Sequence, residues 1–225
     1  MTYHNNLLRF LFSMDDHLIR VKEAESIKRV WKVNVLLILL SLILYGYMAY
    51  LGMGTNLLSP QAQSLDPLAY EQQKFWFLAG RLIFGLLFAV FILFIPSLYF
   101  SLLTDIPYKK LIIMQQVVLF VLLVERAIWI PLAVFNGLDW YVSPVSFGII
   151  ASYFTEIPWL IYFFGAISLF QLWIIWFQVR YIRNLTEIKK QWVWGYVLLF
   201  HFFFWLLTAL LAYMDQYMIN RWFGQ

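Results

Sequence analysis

Three charged residues, Arg81, Glu125 and Arg126, fall inside apolar stretches long enough to cross a bilayer. A charge in hydrocarbon costs several kcal/mol unless it is paired or hydrated, so such groups are candidates for an ion or proton relay or for a buried pair that fixes helix packing. Arg81 lies about two turns into its stretch, and Glu125 and Arg126 lie about two to three turns into theirs, counted from the same side. The matching depths predict a bidentate Arg81–Glu125 pair. Arg126 would then snorkel or meet Asp139. Both roles, structural anchor and relay, stay open.

His201 stands among Phe200, Phe202, Phe203 and Phe204. A neutral imidazole there can hydrogen-bond across helices, but one histidine makes no metal site. His4 and His17 are spaced too far apart for HxxxH or HxH. The chain has no cysteine, which excludes disulfides, thiolate metal sites and cysteine nucleophiles. HExxH, GxSxG, GxxxxGK[ST] and a paired-aspartate motif for a metal-bound phosphate are missing too. The expectation is a protein that is not an enzyme and takes no cofactor or metal.

The elements that must hold these residues follow from composition. Of 225 residues 63% are hydrophobic, 21% aromatic and 12% charged, with a mean hydropathy of +0.75, whereas a soluble domain is about half apolar and about a quarter charged. The bilayer is the solvent such a chain requires. A ~30 Å hydrocarbon core and a 1.5 Å rise call for about 20 residues per crossing. Five runs qualify: Val33 to Leu51, Phe75 to Leu102, Leu111 to Phe135, Pro158 to Val179 and Trp192 to Met214. The predicted fold is an all-α polytopic membrane bundle of five transmembrane helices preceded by an amphipathic helix.

Short connections carry turn residues, as at Gly52-Met53-Gly54, Ser59-Pro60, Asp66-Pro67, Asp105-Ile106-Pro107, Asn136-Gly137 and Ser143-Pro144. The stretch Trp140 to Glu156 holds Pro144 and Gly148 and is short for a span, so it reads as interfacial or re-entrant, with a sixth crossing as the alternative. Three regions result: a cytoplasmic arm (1–32), the five-span domain (33–215) and an outer tail (216–225). The first long apolar run begins only near Val33 and no small-residue cleavage site follows, so no cleavable signal peptide is expected and the chain reads as mature.

Twelve of the 16 Lys and Arg residues fall on one side of these spans: Arg9, Arg20, Lys22, Lys28, Arg29 and Lys32 in the arm, Lys109 and Lys110, and Arg180, Arg183, Lys189 and Lys190. Positive charge marks the cytoplasmic side, which puts the N-terminus inside and, after five crossings, the C-terminus outside. Nucleic acid is not an expected partner, because membrane insertion already accounts for the net charge of +4. The Asn184-Leu185-Thr186 glycosylation match falls in a loop expected to be cytoplasmic. Trp and Tyr cluster where spans should end, as at Trp76, Trp129, Trp140-Tyr141 and Trp192.

In the arm, Leu7, Leu8, Leu11, Met14, Leu18 and Val21 recur at helical spacing, with Asp15, Asp16, Arg20 and Lys22 elsewhere. Such a helix can lie on the inner leaflet, dock on its own bundle, or offer Leu7, Leu11, Met14 and Leu18 to a partner protein.

The segments Ser143-Pro144 to Phe147-Gly148, Ile167-Ser168-Leu169-Phe170-Gln171-Leu172-Trp173 and Leu185-Thr186-Glu187-Ile188-Lys189-Lys190 resemble the Yip1 family over roughly residues 30 to 215. The DLYGP-like signature of the family's eukaryotic members is absent, which points to a prokaryotic-type relative in a cell membrane. The resemblance implies five spans and no catalytic residues. It also implies an accessory subunit binding other membrane proteins, including ABC transporter subunits of export or toxin-resistance systems, besides the lipid bilayer and further copies of itself. The competing expectation is a small transporter or channel that uses Arg81 and Glu125.

Overall fold

The computed structural model describes residues 2–7, 10, 13–55, 66–142 and 145–222, with side chains except those of His4 and 215–222. Leu8, Arg9, Leu11, Ser59-Pro60 and Ser143-Pro144, all used in the sequence reading, lie outside the described residues. The chain divides into two compact units, Met1–Val134 and Phe135–Gln225, each taken by itself.

The first unit runs β1 (Thr2–His4), α1 (Met14–Glu23), β2 (Ser26–Lys28), α2 (Val30–Tyr50), α3 (Pro67–Leu103) and α4 (Tyr108–Asn136), the last two residues of α4 belonging to the second unit. β1 and β2 pair in parallel, Thr2 opposite Ser26 and His4 opposite Lys28. The structure is mostly helical, as expected, and this short pair is added to the helices. Three-residue strands are too short for alternation to show in sequence.

α1 turns His17, Leu18 and Val21 inward and leaves Asp15, Asp16, Arg20 and Lys22 exposed. Arg29, at a left-handed φ of 69°, makes the corner into α2. α2 and α3 approach closely where Ser41 Oγ donates to the Gly85 carbonyl at 2.8 Å. A Cβ on Gly85 would stand 3.1 Å from Tyr45 Cβ, so a small residue permits this contact. Below it Leu37, Ala89, Leu93, Leu119 and Leu123 form one buried cluster.

α3 starts eight residues before the expected Phe75, because Asp66 accepts from Leu68 N–H and Pro67 occupies the first turn. Hydropathy marks the apolar part of a helix, whereas capping residues mark its end. The polar first turns, with Glu71 and Lys74 paired at 2.7 Å, are helical too.

The second unit comprises a 3-10 turn (Trp140–Val142), α5 (Gly148–Phe154), α6 (Pro158–Gly165), α7 (Leu169–Leu185) and α8 (Lys190–Trp222). Among the described residues four helices are long and apolar enough to cross a membrane: α2, α3, α4 and α8 over Lys190–Met214. The segment expected as one continuous fourth span is broken between Gly165 and Leu169.

The cause of the break is long-range. Phe147 N–H donates to Ile167 O at 3.0 Å and Leu169 N–H to Val145 O at 2.9 Å, so backbone groups that a helix would use locally serve an antiparallel bridge between Ser146 and Ser168. Ser168 then caps α7 by accepting from Gln171 N–H at 3.1 Å. Trp140 to Glu156 forms the 3-10 turn and the seven-residue α5, neither of them long enough for a crossing. Tyr141 lies between Gly148 and Gly165, where a Cβ on Gly148 would meet its carbonyl oxygen at 1.8 Å and one on Gly165 would meet its Cβ at 2.5 Å and its Cα at 2.9 Å.

Candidate functional site

Two polar centres occupy the first unit, and the charge cluster foreseen from sequence belongs to one of them. Its geometry begins at the end of α2. Gly52 takes a left-handed φ of 76°, its N–H bonds Ala49 O and Met53 N–H reaches back to Met48 O, both at 3.0 Å, which closes the helix and frees the Met53 carbonyl. Arg81 Nη2 donates to that carbonyl at 2.9 Å. Gly54 makes room, since a Cβ there would stand 1.8 Å from Arg81 Nη2.

The Arg81 guanidinium also lies over the Phe77 ring at 5.2 Å. The partner that Arg81 shows is thus a backbone group, because the turn after α2 presents a carbonyl to its guanidinium. Arg126 lies over Trp129 at 5.7 Å and within hydrogen-bonding reach of the Tyr45 hydroxyl. Tyr45 is buried, packs edge-on against Phe84 at 5.2 Å, and is near enough to feel the charges of Arg126, Arg81 and Glu125. This tyrosine organises the cluster, and the sequence reading did not single it out.

The second centre joins the arm to α2 and α4. Gln116 on α4 is wholly buried. Its amide donates to Asn34 Oδ1 at 2.6 Å and to Val30 O at 3.0 Å, and its oxygen accepts from Asn5 Nδ2 at 2.5 Å. Lys110 Nζ adds a bond to Lys22 O at 2.8 Å, at the last turn of α1. Sequence reasoning passed over Asn5, Asn34 and Gln116. The signal was present, because an amide in an apolar run raises the same desolvation question as a charge.

Of the partner-binding stripe, Leu18 is buried within its own unit, Leu7 packs half-buried against the Leu37–Leu123 cluster, Met14 is half-buried, and Leu11 lies outside the described residues. Tyr3 hydrogen-bonds His17 Nδ1 at 2.9 Å beneath a stacked Phe10. Burial pushes the Tyr3 hydroxyl up from 10.0 to about 12, against the pull of Arg20. Between those values the unfolded chain loses a proton that the folded chain keeps at Tyr3, so the contribution of Tyr3 to stability falls as pH rises from 10 to about 12 and is constant below. Unfolding midpoints measured in detergent from pH 9 to 12 should show this loss, and Tyr3→Phe should flatten it.

In the second unit His201 on α8 and Gln178 on α7 are hydrogen-bonded at 2.8 Å, both buried. The bond ties the two helices, with Trp205 5.9 Å from the imidazole. Among the described residues no three His, Cys, Asp or Glu side chains converge to hold a metal. A comparison with protein-family models finds no match, and comparisons with curated proteins and with solved structures find none.

Proposed function

We propose that this protein is a non-catalytic integral membrane adaptor, laid out like a prokaryotic-type Yip1 relative. In this reading the arm is cytoplasmic, residues 158–179 cross as a broken fourth span of five, and the C-terminus is outside. Its partners are membrane subunits of an ABC-type export or toxin-resistance system. The observation that carries the reading is the use made of the charge cluster: Arg81 braces the α2 turn against α3, and Arg126 braces α4 against Tyr45 of α2. Contacts of this kind stiffen a bundle, whereas a relay needs groups that exchange partners in a wet path. The broken span is compatible with hydrocarbon because its non-helical backbone is hydrogen-bonded to protein at Val145 and Phe147.

The chain has no cysteine, so single cysteines introduced at Ser13 and Gln225 report topology without background. Membrane-impermeant maleimide is expected to label Gln225→Cys from outside intact cells and Ser13→Cys only after lysis. Four crossings would instead hide both. Crosslinking in native membranes is then expected to recover a transporter membrane subunit. Recovery of no partner, together with flux in liposomes abolished by Arg81→Gln, would replace the adaptor with the transporter reading.

A further inference from the structure

The connection between α7 and α8 brings three cations to one end of the second unit. Thr186 ends α7 in an extended conformation, its hydroxyl accepts from Ile188 N–H at 3.3 Å, and α8 begins at Lys190. This tight turn sets Arg180 and Arg183 of α7 beside Lys190 of α8 around a cleft of about 340 Å³ walled by Trp176 and Trp194. The Arg180 guanidinium lies over the Trp176 ring at 5.2 Å. Among the described residues no carboxylate forms an ion pair with Arg183 or Lys190.

Both helices carry the same succession away from the turn. On α7, Arg183, Arg180, Trp176 and Leu172 follow at spacings of three and four, and on α8 Lys190, Trp194 and Leu198 follow at spacings of four. Residues so spaced share a helix face. Leu172 and Leu198 are 43% and 45% exposed, so an apolar surface continues from the cleft along each helix. Cations at one end, indole rings next and open leucines beyond match the order of parts in a phospholipid: charged phosphate, glycerol interface, acyl chain. The cleft volume suits one such headgroup.

We propose that this cleft binds the phosphate headgroup of an anionic phospholipid, with the acyl chains along Leu172 and Leu198. The inference rests on membrane embedding and is independent of the adaptor role. The test uses full-length protein in an uncharged maltoside detergent. Phosphatidylglycerol, phosphatidylcholine and water-soluble glycerol 3-phosphate are titrated while native mass spectrometry counts adducts and the unfolding midpoint is followed.

Phosphatidylglycerol is expected to be retained and to raise the midpoint, phosphatidylcholine to bind at least about tenfold more weakly, and glycerol 3-phosphate to do neither. Arg183→Gln with Lys190→Gln should weaken phosphatidylglycerol binding about 25-fold, at about fivefold per cation. Arg20→Gln with Lys22→Gln, which removes equal charge from exposed positions of α1, should leave it unchanged. Equal binding of the two phospholipids, or equal loss in both double variants, would overturn the proposal in favour of general attraction. Equal protection by glycerol 3-phosphate would overturn the lipid source in favour of a soluble phosphate. If the lipid-free midpoint shows that the Arg183/Lys190 double variant is unfolded, Lys190→Gln alone, at an exposed side chain, takes its place with about fivefold weakening expected.

Discussion

Gly148→Ala is expected to prevent the second unit from folding. The added Cβ would stand 1.8 Å from the Tyr141 carbonyl oxygen, 2.9 Å from its carbon and 3.0 Å from the Gly165 Cα. All three are backbone atoms, so no rotamer change relieves the overlap. Nor is Tyr141 free to retreat. Its ring packs against Tyr162 at 4.9 Å, its carbonyl accepts from Ser146 Oγ at 3.0 Å, and its Cβ already fills the space beside Gly165. The cost should exceed the ~3 kcal/mol at the top of the usual overpacking range. Gly195→Ala, on α8 with open space around it, should instead gain helix propensity of up to about 1 kcal/mol. Unfolding midpoints and size-exclusion profiles of the two variants decide the matter. Similar behaviour of both would mean that Tyr141 is not wedged between the glycines.

Gln116→Ala should be nearly as damaging, by a different route. It strands Asn5 Nδ2 and Asn34 Oδ1 in the interior at once and removes a second donor from the Val30 carbonyl, which keeps its place in the α2 helix. At about 1–3 kcal/mol for each unsatisfied group the loss is about 2–6 kcal/mol. Because one of those partners belongs to the arm, the readout is local: trypsin should cut at Arg20 or Lys22 in the variant well before the unit as a whole unfolds. Gln115 supplies the contrast. It is equally buried, yet both of its amide atoms lack a hydrogen-bond partner among the described residues. Gln115→Leu, similar in volume, is therefore expected to hold or raise the midpoint. A loss matching that of Gln116→Ala would refute the assignment of the anchoring role to Gln116.

The helices that the sequence revealed are those whose apolar length has no competitor. α2, α3, α4 and the apolar part of α8 follow from a preponderance of apolar residues over about 20 positions, a property that does not depend on the rest of the chain. The break in the fourth run does depend on it. Phe163 to Phe170 reads as uninterrupted hydrocarbon except for Ser168, and the partners that interrupt it, Val145 and Phe147, lie about 20 residues upstream. One local sign was available: Ser168 followed three residues later by Gln171 is the spacing of a capped helix start.

For the charge cluster, burial depth was legible and partner identity was not. Side-chain spacing along helices brought Arg81 and Arg126 to comparable depth near Tyr45. The acceptor that Arg81 uses is a carbonyl exposed by a glycine turn, which no inventory of side chains contains. The docked arm was missed in part for a similar reason, since its anchors are neutral amides rather than charges.

The pairing of residues 145–147 with 167–169 also imposes an order in time on the emerging chain. A continuous hydrophobic helix can satisfy its backbone as soon as it leaves the ribosome. Here the Ile167 carbonyl beyond α6 and the Leu169 N–H that opens α7 pair with Phe147 and Val145 upstream, and Tyr141 sits between two glycines of the same unit. The bridge therefore cannot close before Leu169 has been synthesised. A nascent chain halted at Gly165 would carry α6 as an eight-residue helix without the bridge that follows it.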